Sequence, residues 1–114
     1  MIRISANRIS IGRSYNASPS LVWNVITDTV QWPQRGPTVK RVELAERFIR
    51  KGSRGRVLTA IGIWLPFVIV EYEHAGFWSW KVASVKATGH RIQTTNIGDC
   101  SLWFEIPISA NLFL

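Results

Sequence analysis

Cysteine and acidic residues are scarce in this sequence, and each shortage narrows what the protein can be. Cys100 is the only cysteine, so the chain can form no internal disulfide and no zinc site of the usual kind with several cysteines. Seven acidic residues stand against 14 lysines and arginines, which gives a formal net charge of +7. This imbalance favours attraction to anions but does not bear on the fold.

Long apolar runs are also missing. The longest, Ile61 to Val70, has about half the length of a membrane helix, and Pro66 interrupts it. Met1 to Ser10 contains no continuous apolar stretch of the kind found in a secretory signal. We therefore expect a cytoplasmic protein without a membrane span.

Apolar residues are nonetheless plentiful enough for a folded core. They make up 46% of the 114 residues, a length that suits one domain, which we take as residues 1–114. The six tryptophans can each bury about 150–250 Å². Because this exceeds what a minimal core needs, we expect some of them to line a pocket or an interface.

The alternation of apolar and polar residues predicts mostly strands. Ile9 to Tyr15 alternates with period two and indicates a first strand. Ser18 followed by Pro19 is typical of a helix start. Asp28 or Thr29 could cap a second short helical turn, and prolines and glycine should end it at Pro33, Gly36 and Pro37. Six more strands are predicted, at residues 39–48, 53–61, 66–73, 77–84, 90–96 and 101–108.

This order of one strand, two short helices and a run of strands predicts an α+β fold with an antiparallel sheet. Period-two alternation also predicts which side chains face inward. The inward sets are Val68, Val70 and Tyr72; Trp78, Trp80 and Val82; His90, Ile92 and Thr94; and Leu102, Phe104, Ile106 and Ile108.

Several short strings, spread in order over residues 9–108, resemble the polyketide cyclase/dehydrase and lipid-transport family. This family belongs to the START-related, birch-pollen-allergen-like SRPBCC superfamily. The strings are Ala17-Ser18-Pro19, Val22-Trp23-Asn24-Val25-Ile26-Thr27-Asp28, Trp32-Pro33, Gly36-Pro37, Leu65-Pro66-Phe67, Trp78-Ser79-Trp80-Lys81-Val82, Ala87-Thr88-Gly89-His90 and Phe104-Glu105-Ile106-Pro107.

The resemblance implies a helix-grip fold, in which a curved antiparallel sheet of about six to seven strands wraps a long C-terminal helix. Ser109 to Leu114 has room for about a turn and a half of helix. We therefore expect the chain to be C-terminally truncated relative to the family, with the long helix missing. An uncovered apolar face of that size suggests an interface, and we expect a homodimer through it.

Members of the family bind hydrophobic molecules, and some catalyse cyclisation or dehydration. The resemblance thus implies binding of a lipid or polyketide-like molecule on the concave face of the sheet. The candidate ligand-binding residues are Trp32, Trp64, Val70, Tyr72, Trp78, Trp80, His90 and Phe104. The alternative is a cyclase or dehydratase in which His90 and Tyr72 assist proton transfer. No cofactor is expected, and no metal site, because Glu71 and Glu73 fall on the strand face opposite His74.

A basic cluster stands apart from these candidates. Five cations fall within ten residues that contain no acid: Arg47, Arg50, Lys51, Arg54 and Arg56. They form either a solvated loop or a contact for RNA, a ribosome or an acidic partner. Nucleic acid is the less favoured partner, because a basic run alone is weak evidence.

Overall fold

In a computed structural model of the chain, which describes residues 1–35, 39–96 and 98–108, eight strands and three short helical segments follow one another. The strands are β1 (Ile2–Ile4), β2 (Arg8–Tyr15), β3 (Val39–Leu44), β4 (Arg54–Thr59), β5 (Trp64–Glu73), β6 (Phe77–Val82), β7 (Val85–Asn96) and β8 (Asp99–Pro107). The helical segments are α1 (Pro19–Thr27), a 3₁₀ turn (Thr29–Gln31) and α2 (Trp32–Arg35).

All eight strands form one antiparallel sheet in the order β1-β2-β8-β7-β6-β5-β4-β3. The α+β class is as predicted, but the sheet has eight strands rather than six to seven. The additional strand is β1, whose three residues pair with β2. The expected C-terminal shortening concerns residues 109–114, which lie outside the described residues.

The helical segments begin where the sequence predicts. The Ser18 hydroxyl accepts a hydrogen bond from the Leu21 amide at 3.2 Å, and Pro19 opens α1. The Asp28 carboxylate caps the 3₁₀ turn by accepting from the Val30 amide at 3.1 Å. The prediction that Pro33 ends the turn is wrong. Pro33 lies in the first turn of α2, where its missing N–H needs no partner. The other two predicted stops, Gly36 and Pro37, lie outside the described residues.

The helices pack on one face of the sheet, which we call the inner face. Trp23 and Ile26 of α1 are buried there, together with Trp32 at the start of α2. On the sheet, the core contains Val57, Phe67, Ile69, Trp78, Ile92, Cys100 and Leu102. The predicted inward positions of Trp78, Trp80, Ile92, Leu102 and Phe104 are confirmed by these contacts.

A β-bulge in β5 overturns one predicted inward set. Ile69 pairs with Trp80 and Glu71 pairs with Ser79, so β5 advances two residues while β6 advances one. Val70 is the extra residue, and the side-chain alternation shifts at that point. Phe67 and Ile69 therefore face inward before the bulge and Tyr72 after it, and the inward prediction for Val68 and Val70 is wrong.

Among the described residues, no helix has the length and apolarity that crossing a membrane requires.

Candidate functional site

Three of the predicted ligand-binding tryptophans pack against one another on the inner face. The Trp32 ring stacks on Trp78, with ring centroids 5.4 Å apart, and meets the Trp80 ring edge-on at 5.3 Å. Trp32 Nε1 donates to the Ile26 carbonyl at 3.0 Å, which fixes the ring over the sheet. Trp78 is 2% exposed, whereas Trp80 is half-buried. Trp32 and Trp78 therefore belong to the buried core beneath the helices, and Trp80 lies at the edge of that core.

A chain of polar groups continues from Trp80 along the inner face. Trp80 Nε1 donates to the Thr88 hydroxyl at 3.1 Å, and that hydroxyl lies 3.4 Å from His90 Nε2. The His90 ring stacks on Trp78 at 3.9 Å and meets the Phe104 ring edge-on at 5.2 Å. The buried His90 imidazole and the half-buried Thr88 hydroxyl can each donate to, or accept from, an oxygen of a bound molecule.

Thr88 occurs in one of the family-like strings but was not among the predicted ligand-binding residues. It precedes His90 by two residues on β7, so the two side chains leave the strand on the same face. That spacing was the signal. The spacing alone could not show that Thr88 accepts a hydrogen bond from Trp80, because that contact depends on the pairing of β6 with β7.

Tyr72 and His90, the two candidates for acid–base chemistry, are not brought together. Tyr72 pairs with Trp78, and Trp78 pairs with His90. The tryptophan therefore lies between them, and they are two strands, roughly 9–10 Å, apart. The Tyr72 hydroxyl lies 3.1 Å from His74 Nδ1, and both rings contact Trp23.

One row of directly paired residues crosses six strands of the inner face. From β1 to β5 it reads Ile2, Ile11, Phe104, His90, Trp78 and Tyr72. The helices bury the Trp78 end of the row, while Ile2 is 70% and Ile11 44% exposed. A second row runs beside it through Ile4, Ile9 and Ile106. The inner face is thus a buried core at one end and an open apolar surface at the other.

We call this open end the isoleucine surface: Ile2, Ile4, Ile9, Ile11, Phe104 and Ile106. An open recess of about 720 Å³ adjoins it, and its lining includes Arg13 as well as Ile11, Tyr15 and Phe104. Among the described residues, His90 and Thr88 stand at the boundary between the isoleucine surface and the aromatic core.

Two predicted ligand-binding residues lie elsewhere. Trp64 pairs with Leu58, and its neighbour Leu65 faces inward, so Trp64 points to the opposite, outer face. There its ring lies under the Arg56 guanidinium, 4.3 Å from the ring centroid. Val70 is displaced by the bulge, as described above.

The basic cluster is divided by ion pairs. Arg47 donates two hydrogen bonds to the Asp28 carboxylate, at 2.9 and 2.8 Å, and Arg56 donates to Glu43 at 2.6 Å. Arg50, Lys51 and Arg54 are exposed around a turn in which Gly52 has φ +84°. The structure therefore leaves three of the five predicted cations at this exposed turn, with Arg54 as the first residue of β4.

The outer face carries a buried charge that the sequence analysis did not identify. Glu105 is 8% exposed and accepts from Arg8 at 3.1 Å and from Arg91 at 2.7 Å. The hydrogen bond to Glu105 raises the pKa of Arg91 above its usual range. Two arginines on one carboxylate satisfy its lone pairs, which accounts for its burial.

Glu71 and His74 lie on opposite faces of the sheet. Glu71 pairs with Ser79 and accepts its hydroxyl hydrogen bond at 2.8 Å on the outer face, while His74 contacts Trp23 on the inner face. The described residues contain no group of three or more histidine, cysteine or carboxylate side chains able to hold a metal ion.

Neither a known family model nor a curated protein sequence matches this chain. Solved structures do resemble it. A START superfamily protein from Mycobacterium smegmatis has a TM-score of 0.69 at 12% identity, over 91% of this chain and 77% of that one. Ara h 8.0201 has a TM-score of 0.64 at 12% identity, over 88% and 74%.

EF2215 from Enterococcus faecalis, a conserved protein of unknown function, has a TM-score of 0.67 at 16% identity. The match covers 97% of this chain but 62% of EF2215, so this chain spans less than two thirds of that protein. At such identities the likeness concerns the fold alone. In that respect the resemblance read from the sequence strings is confirmed: the chain has a START-like fold.

Proposed function

We propose that the inner face binds a hydrophobic small molecule, lipid-like or polyketide-like, at the isoleucine surface. The observation that carries this proposal is the row from Ile2 and Ile11 through Phe104 to His90, which joins exposed apolar side chains to buried polar ones. Binding sites for small molecules are mostly apolar with a few placed polar groups. The START-like fold is compatible with this reading.

The polar groups suggest what the ligand carries. Trp78 Nε1 is buried and has no hydrogen-bond acceptor among the described residues. The Thr88 hydroxyl accepts from Trp80, and its contact with His90 Nε2 is long, at 3.4 Å, so a ligand oxygen can compete for the hydroxyl hydrogen. An apolar molecule with an oxygen atom would accept from Thr88 at the edge of the core, and one that reached further in would also give Trp78 Nε1 a partner, whose absence costs free energy. We therefore expect an oxygenated ligand rather than a plain hydrocarbon.

Uptake of an apolar naphthylamine fluorophore tests the proposal. The wild-type chain should enhance its emission, and Ile11→Asp should abolish the enhancement because a carboxylate then stands in the apolar row. Val85→Asp is the matched control, since Val85 is 55% exposed at the start of β7, where it pairs with Val82 away from the row. Equal emission with all three proteins, or none with the wild type, would contradict the proposal.

A second copy of the chain is the partner that we expect on the remainder of the isoleucine surface. Pairing through this face would remove exposed side chains such as Ile2 and Ile4, which are 70% and 76% exposed, from water. Sedimentation velocity at micromolar concentration should then show a dimer that Ile4→Asp converts to a monomer. A sharp monomer for the wild type would rule out this partner.

Cyclase or dehydratase chemistry is less well supported than binding. General acid–base catalysis needs two groups placed about one reacting centre, and Trp78 stands between Tyr72 and His90. Any proton transfer would rest on His90 with Thr88. If an identified substrate were turned over equally by wild type and His90→Ala, His90 would have no part in it.

A further inference from the structure

We propose that the tip of the β4–β5 hairpin, residues 60–63, docks the protein on an anionic lipid bilayer. Two large apolar side chains project there: Ile61 is 81% and Ile63 51% exposed, and Ala60 beside them is exposed as well. The tip takes no part in the isoleucine surface, so this inference is independent of the proposed ligand site.

Hydrogen bonds hold the tip in an ordered turn. The Thr59 amide donates to the Ile63 carbonyl at 2.9 Å, and the Gly62 amide donates to the Thr59 carbonyl at 3.0 Å. The Ile63 amide donates in turn to the Thr59 hydroxyl at 3.2 Å. Gly62 has φ +85°, which glycine adopts without strain. The isoleucines are therefore displayed on a fixed loop, which lowers the entropy lost on binding.

An aromatic ring and cations surround the base of the tip. Trp64 directly follows the tip and is half-buried, with the Arg56 guanidinium 4.3 Å above its ring. Val39 pairs with Thr59, so β3 begins beside the tip, and its Lys40 and Arg41 are exposed. These two cations and Trp64 line an open cleft of about 290 Å³.

Each group of side chains at the tip matches one layer of a membrane surface. Exposed isoleucines suit the acyl boundary, tryptophan is enriched at the headgroup level, and lysine and arginine attract anionic headgroups. Glu43 is the acid of the cleft, and Arg56 is bound to it at 2.6 Å. Lys40 and Arg41 then leave the surroundings of the tip positive.

Other occupants fit the tip less well. A standard protein interface buries about 800 Å² on each partner, which a turn with two isoleucines and an alanine cannot supply. Nucleic acid would be attracted by the cations but offers nothing for the isoleucines, because its outer surface is phosphate and sugar. A bilayer takes both the projecting apolar shape and the positive charge.

Co-sedimentation with vesicles tests the inference. Wild-type protein should bind phosphatidylcholine vesicles that contain phosphatidylserine and bind pure phosphatidylcholine vesicles more weakly. The double variant Ile61→Asp/Ile63→Asp should lose at least about tenfold in partitioning. Lys40→Ala and Arg41→Ala should each lose about fivefold on the anionic vesicles only. Val85→Asp, which places an acid at an exposed apolar position of a different hairpin, should partition like the wild type.

Three results would overturn the inference: no binding of the wild type to anionic vesicles at low salt, equal binding by Ile61→Asp/Ile63→Asp, or equal loss in Val85→Asp. A dimer that dissociates only in the tip variant would instead assign the tip to a second copy. Unchanged circular dichroism establishes that the variant is folded. If the tip variant takes up the fluorophore like the wild type, its loss of vesicle binding is independent of the proposed ligand site.

Discussion

At the scale of single residues, Asp28 links three parts of the chain. Its carboxylate caps the 3₁₀ turn through Val30 and accepts two hydrogen bonds from Arg47. Its backbone also bridges to Phe48. The Arg47 hydrogen bonds hold the pKa of Asp28 below its usual value, although partial desolvation opposes them. The residue that the sequence offered as a cap is therefore also an anchor for the segment before the basic loop.

Asp28→Ala should lower the free energy of unfolding by about 1 kcal/mol for the lost cap, with a further loss from Arg47. Because the folded-state pKa is depressed, the charged form stabilises the fold above the ordinary aspartate pKa of about 3.9. That contribution is lost as pH falls through the folded-state pKa. Urea unfolding should thus show a wider gap between wild type and variant at neutral pH than at pH values below that point.

Glu43→Ala is the control for this measurement, since the Glu43–Arg56 pair is exposed on both sides. Exposed ion pairs contribute little, so its midpoint should stay close to that of the wild type. An equal loss in both variants would contradict the role given to Asp28.

Gly12 is required by close packing on the outer face. A Cβ atom placed there would lie 2.6 Å from the ring of Trp103, and the Arg3 guanidinium lies 3.9 Å from the centroid of the same ring. Gly12→Ala should therefore lower the free energy of unfolding by about 1–3 kcal/mol. In Gly76→Ala, the new methyl would meet only the Glu73 carbonyl at 3.7 Å. Thermal unfolding of the two variants should separate them, and equal midpoints would contradict the packing argument.

At the scale of elements, local signals were readable from the sequence and pairing was not. Ser18 and Pro19 specify the start of α1 through one side-chain hydrogen bond and one fixed φ, both of which lie within the segment itself. The bulge at Val70 depends on how β5 meets β6, and β1 has three residues, too few for alternation to reveal. For the polar chain, the sequence predicted that Trp80 and His90 face inward. It did not predict their link through Thr88, which depends on the pairing of β6 with β7.

The Trp32 side chain packs α2 against the sheet. It contacts Phe67, Trp78 and Trp80 and donates to the Ile26 carbonyl. Trp32→Ala should cost about 3–5 kcal/mol of stability, the range for loss of a large buried ring. Trp64→Ala, at a half-buried position on the outer face, should cost clearly less. Guanidinium unfolding compares them, and similar losses would mean that the helical turn is not held by this ring.

At the scale of the whole molecule, the helices divide the inner face into a closed and an open half. Trp23, Ile26 and Trp32 cover the sheet as far as Trp78, and beyond His90 the isoleucines of β1 and β2 are exposed. The tip of the β4–β5 hairpin is a separate apolar feature. A protein that takes a hydrophobic molecule from a bilayer needs both a holding surface and a docking surface, and the two proposals assign one region to each.

The most direct test of ligand binding at the isoleucine surface is a methyl NMR titration of isoleucine-labelled protein with an oxygenated apolar probe in free solution. The account predicts shifts for the methyl groups of Ile9, Ile11 and Ile106, and none for Ile61 and Ile63, which face no ligand without a bilayer. Shifts confined to Ile61 and Ile63, or no shift at any isoleucine at saturating probe, would contradict the claim that the inner face binds the ligand.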